Sequence, residues 1–410
     1  MSYYDDAAAL TMARLEMLGS VSQSEKYLDR RYLTEQHKQA NQLTANWMNE
    51  SGMRTWQDAA GNIWGRLESS VPEAPRLIFG SHLDTVPNGG KYDGMLGVLA
   101  PVTVAALLKG ERHSLPFHLD VVGFGDEEGT RFGSTLLGSR ALTGKWPPEW
   151  RRMKDADGIA LEEAMEQFGL NFDKVSDATI SGKNVLAYLE LHIEQGPVLE
   201  KHNLPVGTVT GIAGARRLGF EVSGMAGHAG TVPMEMRQDA LCAASAMVLC
   251  IQQTVRQYAG VVATVGSMTV KPNAVNVIPG QANFTLDIRS DDNHRRDTAL
   301  EHILHELDKI ADQHGVSVSH QVTHDAGAVL CAPHLQDALL DATRACGISP
   351  FSLPSGAGHD AMAMADICPV AMLFTRCKGG ISHHPGESIT QDDVAASLAV
   401  LHHTVKHLKF

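Results

Sequence analysis

Residues 76–95, RLIFGSHLDTVPNGGKYDGM, carry an apolar run straight into a histidine, an aspartate, a Gly-rich turn and a second aspartate. RLIFG has strand character, and His82 falls just past its carboxyl end. A helical apolar pattern follows over 95–108, and then a second apolar run, FHLDVVGFG, leads into Glu127-Glu128. Apolar runs bounded by turn signals and separated by helices predict a mostly parallel sheet covered on both faces. In such sheets ligands gather beyond the carboxyl ends of the strands. Two polar clusters there mark a site.

The same α/β rhythm covers a helix over 34–51 and a strand at GNIWGRLES before the opening stretch. It returns late in the chain with a helix over 335–345, a strand at PVAMLF and a last helix over 392–408 capped by Thr390. Between them the pattern changes. RLGFEVSG, a helix over 238–257, the strands VVATVGSMTV and ANFTLDIRS, a helix over 293–313 and the strand VSVSHQVTH follow one another. In the second helix Leu300, Ile303, Leu304, Leu307 and Ile310 share one face. The order β-α-β-β-α-β describes a ferredoxin-like two-layer α+β unit. The expected organisation is therefore a discontinuous catalytic α/β domain, residues 1–211 and 325–410, with an inserted domain over 212–324.

Length and composition agree with two domains, since 410 residues exceed one ordinary core. The 34 basic and 47 acidic residues give a net charge of −13, which argues against nucleic acid or an anionic membrane as partner. No stretch approaches the ~18 apolar residues of a membrane span, and the N-terminal residues do not resemble a secretory signal. Six scattered cysteines without a C-x-x-C pair predict reduced thiols and a cytoplasmic protein. Cys242 and Cys250, on an apolar helix, are expected to be packing residues.

Five positions offer metal-binding side chains: His82, Asp93, Glu128, His192 and His383. His82-Leu83-Asp84 places a carboxylate where it can orient a ligating imidazole from behind. Adjacent acids after an apolar strand repel one another unless a cation offsets them. Successive side chains diverge, so Glu128 can face an ion while Glu127 serves as a general base. Alternation in LAYLELHIEQG sets Tyr188, Glu190, His192 and Glu194 on one face. In GGISHHPGE either histidine can be a ligand. Singly, each residue has an ordinary reading: a structural histidine, an aspartate in a turn, a solvated acidic loop.

Jointly, SHLDTVPNGGKYDG, GDEEGTRFGSTLLGSRALTG, ELHIEQGPVLE, AGHAGTVPM, PNAVNVIPG, SGAGHDA and GISHHPGE resemble the M20 metallopeptidase/amidohydrolase superfamily, in its hydantoinase/carbamoylase branch. That branch includes allantoate amidohydrolase, N-carbamoyl-L-amino-acid hydrolase and β-ureidopropionase. The likeness runs from about residue 35 onward.

The resemblance implies two divalent ions per subunit, Zn2+ or Mn2+, which suit such mixed N/O ligands. His82 and His192 would hold one, Glu128 and His383 the other, and Asp93 would bridge them with a cis peptide after it. His383 is preferred to His384 because it heads H-x-P-x-E. Glu127 would take a proton from the attacking water and return it to the leaving nitrogen. Gln195 would bind the ureido amide, and His228 would donate to the oxyanion. Asn276, Arg216 and the main chain at Gly358 would contact substrate, and Arg289 would clamp its carboxylate. The inserted domain would serve as lid and dimerisation domain, giving a homodimer whose closure completes the site. The expected reaction is hydrolysis of the ureido C–N bond of a small carboxylate, with allantoate preferred because GTRFGSTLLGSRALTG and Arg216-Arg217 resemble that subgroup. N-carbamoyl-L-amino-acid or β-ureidopropionate hydrolysis is the alternative. More remote are an aminopeptidase or deacylase of the superfamily and a binding protein that keeps only its fold.

Overall fold

The computed structural model describes residues 2–111 and 114–409. The chain divides into two compact units. The first comprises Met1–Thr210, Cys331–Leu353 and His359–Phe410, and the second Gly211–Leu330 and Pro354–Gly358.

In the first unit a sheet runs in the order Arg54–Gln57, Ile63–Leu67, His118–Phe124, Arg76–His82, Val185–Ile193, Val370–Thr375 and Val206–Ile212. The four strands from His118–Phe124 to Val370–Thr375 are mutually parallel. Those flanking them pair antiparallel, so the parallel character is confined to the middle. Leu77, Ile78 and Phe79 are successive residues of one strand and all buried. Burial of both faces is why this strand reads as an unbroken apolar run. The helix Met95–Gly110 is apolar nearly all round and almost wholly buried. The helix Glu35–Glu50 is capped by Thr34, and Gln391–His407 by Thr390. No helix among the described residues is long and apolar enough to cross a membrane.

An N-terminal helix, Ser2–Gly19, was not expected. Ala7, Ala8, Thr11, Arg14, Leu15 and Leu18 are buried on it. Thr11 Oγ1 lies 2.8 Å from Thr103 Oγ1, and the Tyr4 hydroxyl 2.9 Å from His402 Nδ1.

The second unit is an antiparallel sheet in the order Met268–Lys271, Gln281–Ser290, Gly214–Ser223 and Ser317–Asp325. Val261–Thr264 also pairs with Gln281–Ser290, so VVATVGSMTV forms two short strands instead of one. The helices Ala240–Val255 and Asn293–His314 bury Met247, Ile251, Leu300, Ile303 and Leu307 against Phe220, Phe284, Leu286 and Ile288. Phe220 and Phe284, directly opposite in register, stack at 4.8 Å. The unit reaches Leu330, beyond the expected boundary at 324, because Val329 and Leu330 pair with Ile212 and Gly211. It also takes residues 354–358, where the Ser355 carbonyl accepts the Ala213 N–H at 2.8 Å. Cys250 packs against the core, but Cys242 is exposed on the outer side of the first helical turn, contrary to expectation.

Candidate metal centre

The parallel strands deliver their carboxyl ends side by side. His82 closes one strand and lies in register with Phe124 of its neighbour, from which the chain turns at once into Glu127 and Glu128. On the other flank, Val185–Ile193 carries His192 in register with Phe374. The strand holding Phe374 runs on into the loop that bears His383. Register thus gathers residues that are far apart in sequence.

At their meeting point stands Asp93. Its Oδ1 lies 3.2 Å from His192 Nε2 and 3.8 Å from His82 Nε2, and its Oδ2 lies 3.1 Å from His383 Nε2. His383 Nε2 is also 3.4 Å from Glu128 Oε1. Ligand atoms of His82, Asp93 and His192 fall within 4.8 Å of one another, as do those of Asp93, Glu128 and His383, and of His82, Glu127 and Glu128. Two triads sharing one aspartate suit a pair of divalent ions of the Zn2+ or Mn2+ kind. The imidazoles are already oriented for it. His82 Nδ1 lies 3.0 Å from the Asp84 carbonyl oxygen, and His192 Nδ1 lies 3.0 Å from that of Ile193. With N–H at Nδ1 in each ring, Nε2 is left to bind a cation.

Charge crowding fits the same use. Burial and then the neighbouring Glu128 push the Glu127 pKa well above its ordinary value. Asp126, buried beside Asp84, is likewise driven well up. Burial resists charge on Asp93, yet His192 and His383 hold its pKa well below the usual range. Contacts with Asp93 and then Glu128 raise His383 to about 10. Acids this close in a dry interior repel one another, and divalent cations offset that repulsion.

Two backbone details differ from or add to expectation. The only cis peptide among the described residues is Lys271–Pro272, so the bond after Asp93 is trans. There the chain turns through Gly94, at φ +68°, where a Cβ would stand 2.5 Å from the His82 ring. Gln195 and His383 are both non-glycine residues at positive φ, +56° and +53°, the kind of strain that collects at functional sites. Gln195 Nε2 lies 3.2 and 3.3 Å from the Asp93 carboxylate oxygens and 3.1 Å from Ser382 Oγ. His384 stays outside the cluster, its Nδ1 accepting the Gly386 N–H at 2.9 Å.

The remaining candidates belong to the second unit. His228 and Asn276 are exposed and close together on one ribbon, where Val277 pairs with His228 and the Asn276 carbonyl accepts the Ala229 N–H. Arg289 grips Asp287 through Nε at 2.7 Å and Nη2 at 3.0 Å, and donates Nη1 to the Gly356 carbonyl at 2.9 Å. Gly358 ends the returning segment 354–358. Arg216 is held by Asp325 at 2.8 Å and Asp297 at 3.2 Å.

Residues 78–407 match peptidase family M20/M25/M40. The chain belongs to this family. Among the similar relatives of the M20 chain is an N-carbamoyl-L-amino acid amidohydrolase of Geobacillus stearothermophilus, 42% identical over 96% of this chain and 97% of that one. An allantoate deiminase of Arabidopsis thaliana is 40% identical over 95% of this chain and 80% of its own. Among solved structures, a hydantoinase/carbamoylase-family amidase from Burkholderia multivorans superposes with a TM-score of 0.91 at 31% identity, with 97% of each chain covered.

Several residues around this M20 site were given no role by the reading of the sequence. Glu190 is buried beneath His192 and accepts the Ser81 hydroxyl at 2.9 Å and the Ala361 N–H at 3.0 Å. His359 stands edge-on to His192 at 4.5 Å between ring centres. Burial and then Glu190 push the Asp360 pKa well up. The alternation of Glu190 with His192 and the motif SGAGHDA were the available signals.

Proposed function

We propose that this chain is a metal-dependent amidohydrolase that cleaves the ureido C–N bond of a small carboxylate, releasing ammonia and carbon dioxide. The observation that carries the reading is the Asp93 carboxylate, flanked by His82 and His192 on one oxygen and by His383 on the other, with Glu127 buried alongside. His82, Asp93, Glu128, His192 and His383 would hold two ions, which supply Lewis-acid polarisation of the ureido carbonyl. Glu127 takes the proton of the attacking water and passes it to the leaving nitrogen. Burial and then Glu128 raise its pKa, the direction that suits a group that takes up a proton and hands it on. Gln195 and His228 act on the ureido group, Asn276 and the main chain at Gly358 orient the substrate, and Arg289 takes its carboxylate. Dimerisation through the second unit belongs to the same proposal, and light scattering in solution tests it.

Allantoate and N-carbamoyl-L-amino acids are the two substrate readings. GTRFGSTLLGSRALTG favours allantoate. The engagement of Arg216 by Asp325 and Asp297 takes away part of the argument drawn from Arg216-Arg217. The test is ammonia release by manganese- or zinc-loaded protein from allantoate, N-carbamoyl-L-amino acids and β-ureidopropionate, with dipeptides as controls. Release from one ureido acid is expected. Peptide cleavage without ureido cleavage would move the chain to the aminopeptidase reading.

A further inference from the structure

Glu387, the acid that closes H-x-P-x-E, has no part in the reaction as described. It is buried, 5% exposed. Its Oε1 accepts the backbone N–H groups of Tyr92 and Asp93, each at 3.1 Å, and its Oε2 accepts the Ser382 hydroxyl at 2.9 Å. Ser382 Oγ in turn accepts Gln195 Nε2. A Cβ on Gly90 would fall 2.2 Å from the Glu387 carboxyl carbon, so the turn before Asp93 is cut back to admit this side chain. One carboxylate therefore ties the backbone of the Asp93 turn to the loop of His383, across 294 residues of sequence.

We infer that Glu387 is a positioning residue: it fixes the Asp93 turn against the His383 loop and so sets the grip on the ion that Asp93 and His383 share with Glu128. The two ligands meet at 3.1 Å, and each sits one residue or less from an atom bound to Glu387 or to its Ser382 partner. Groups that orient ligands from behind are commonly worth about 10–100-fold in metal affinity. The inference rests on the two-ion reading of the site and not on the substrate, so it stands whichever ureido acid is cleaved.

Competition with a metal chelator, reading stoichiometry and affinity for Mn2+ and Zn2+, tests it. Wild-type protein is expected to take two ions. Glu387→Gln keeps the volume and an oxygen for the two N–H groups but offers Ser382 a donor where it needs an acceptor. It should lose about 10–100-fold in affinity for one ion and leave the other near wild type. Ser382→Ala removes the same arm without touching the buried acid, should weaken the same ion, and carries the test if Glu387→Gln does not fold. Two ions held with wild-type affinity by these variants would overturn the inference alone. Fewer than two ions in the wild type would overturn the two-ion reading and the inference with it.

Discussion

The Asp84 carboxylate accepts the backbone N–H of Glu127 at 3.0 Å through Oδ1. Its Oδ2 accepts the N–H of Glu128 at 3.2 Å, and Oδ1 also lies 3.5 Å from His82 Nδ1. One buried side chain thus places the proposed base, one proposed ligand and the ring of another. Asp84→Ala should weaken metal binding about 10–100-fold and lower turnover at least as far, with Asp84→Asn milder. Chelator competition and ammonia release measure both. Wild-type affinity in Asp84→Ala would remove Asp84 from this role.

Glu127 shares that anchor but has a different task. Glu127→Gln keeps the shape and the backbone bond to Asp84 while removing the basic oxygen. Metal content should persist and kcat should drop by at least ~10²-fold, the scale of lost general-base catalysis. Near-normal turnover would rule out this base.

Gly94 follows Asp93 directly, at positive φ and against the His82 ring. Ala at this position needs positive φ and drives its methyl into the His82 imidazole. Gly94→Ala should cost at least ~1 kcal/mol in denaturant titrations and lose bound metal, because the displaced ring is a proposed ligand.

Arg289 presents a fork already steadied by Asp287 and Gly356. A charge-assisted pair with a substrate carboxylate is worth about 1.5–3 kcal/mol, or roughly 10–100-fold. Arg289→Ala should raise KM on that scale with kcat changed only a few-fold, and Arg289→Lys should not restore it. An unchanged KM would remove Arg289 from the carboxylate site.

His37 gives a pH signature in folding stability. Burial pushes its pKa down to about 4, and its Nδ1 accepts the Leu33 N–H at 3.0 Å, which requires the neutral ring. The unfolded chain binds this proton near pH 6.5, so it holds more protons than the native state between 6.5 and 4. Stability from His37 is therefore complete above about pH 6.5 and is lost as pH falls toward 4, up to about 3 kcal/mol. Thermal melts across that window should show a flatter pH slope in His37→Gln than in the wild type.

What the sequence makes legible follows from strand chemistry. His82 and Glu127-Glu128 stand out because unbroken apolar strands run directly into them, and register then brings His192 to the same sheet end. Alternation set Glu190 on the face of His192, but with both faces of Val185–Ile193 buried it did not show which partners, Ser81 and Ala361, the carboxylate meets. Glu387 and Ser382 act through backbone amides and a hydroxyl, contacts that leave no periodic trace. The N-terminal helix was missed although its apolar positions repeat at helical spacing. Cys242 was misplaced because an apolar helix covering one face of a single sheet still turns part of its surface outward.

Val370–Thr375 lies between Val185–Ile193 and Val206–Ile212, strands made far earlier in synthesis. A ribosome that has finished residue 369 therefore holds a sheet that lacks this one strand, with an open slot flanked by two greasy edges. Expression of residues 1–369 alone should yield insoluble material, and the growing polypeptide should depend on holdase protection until Val370–Thr375 emerges.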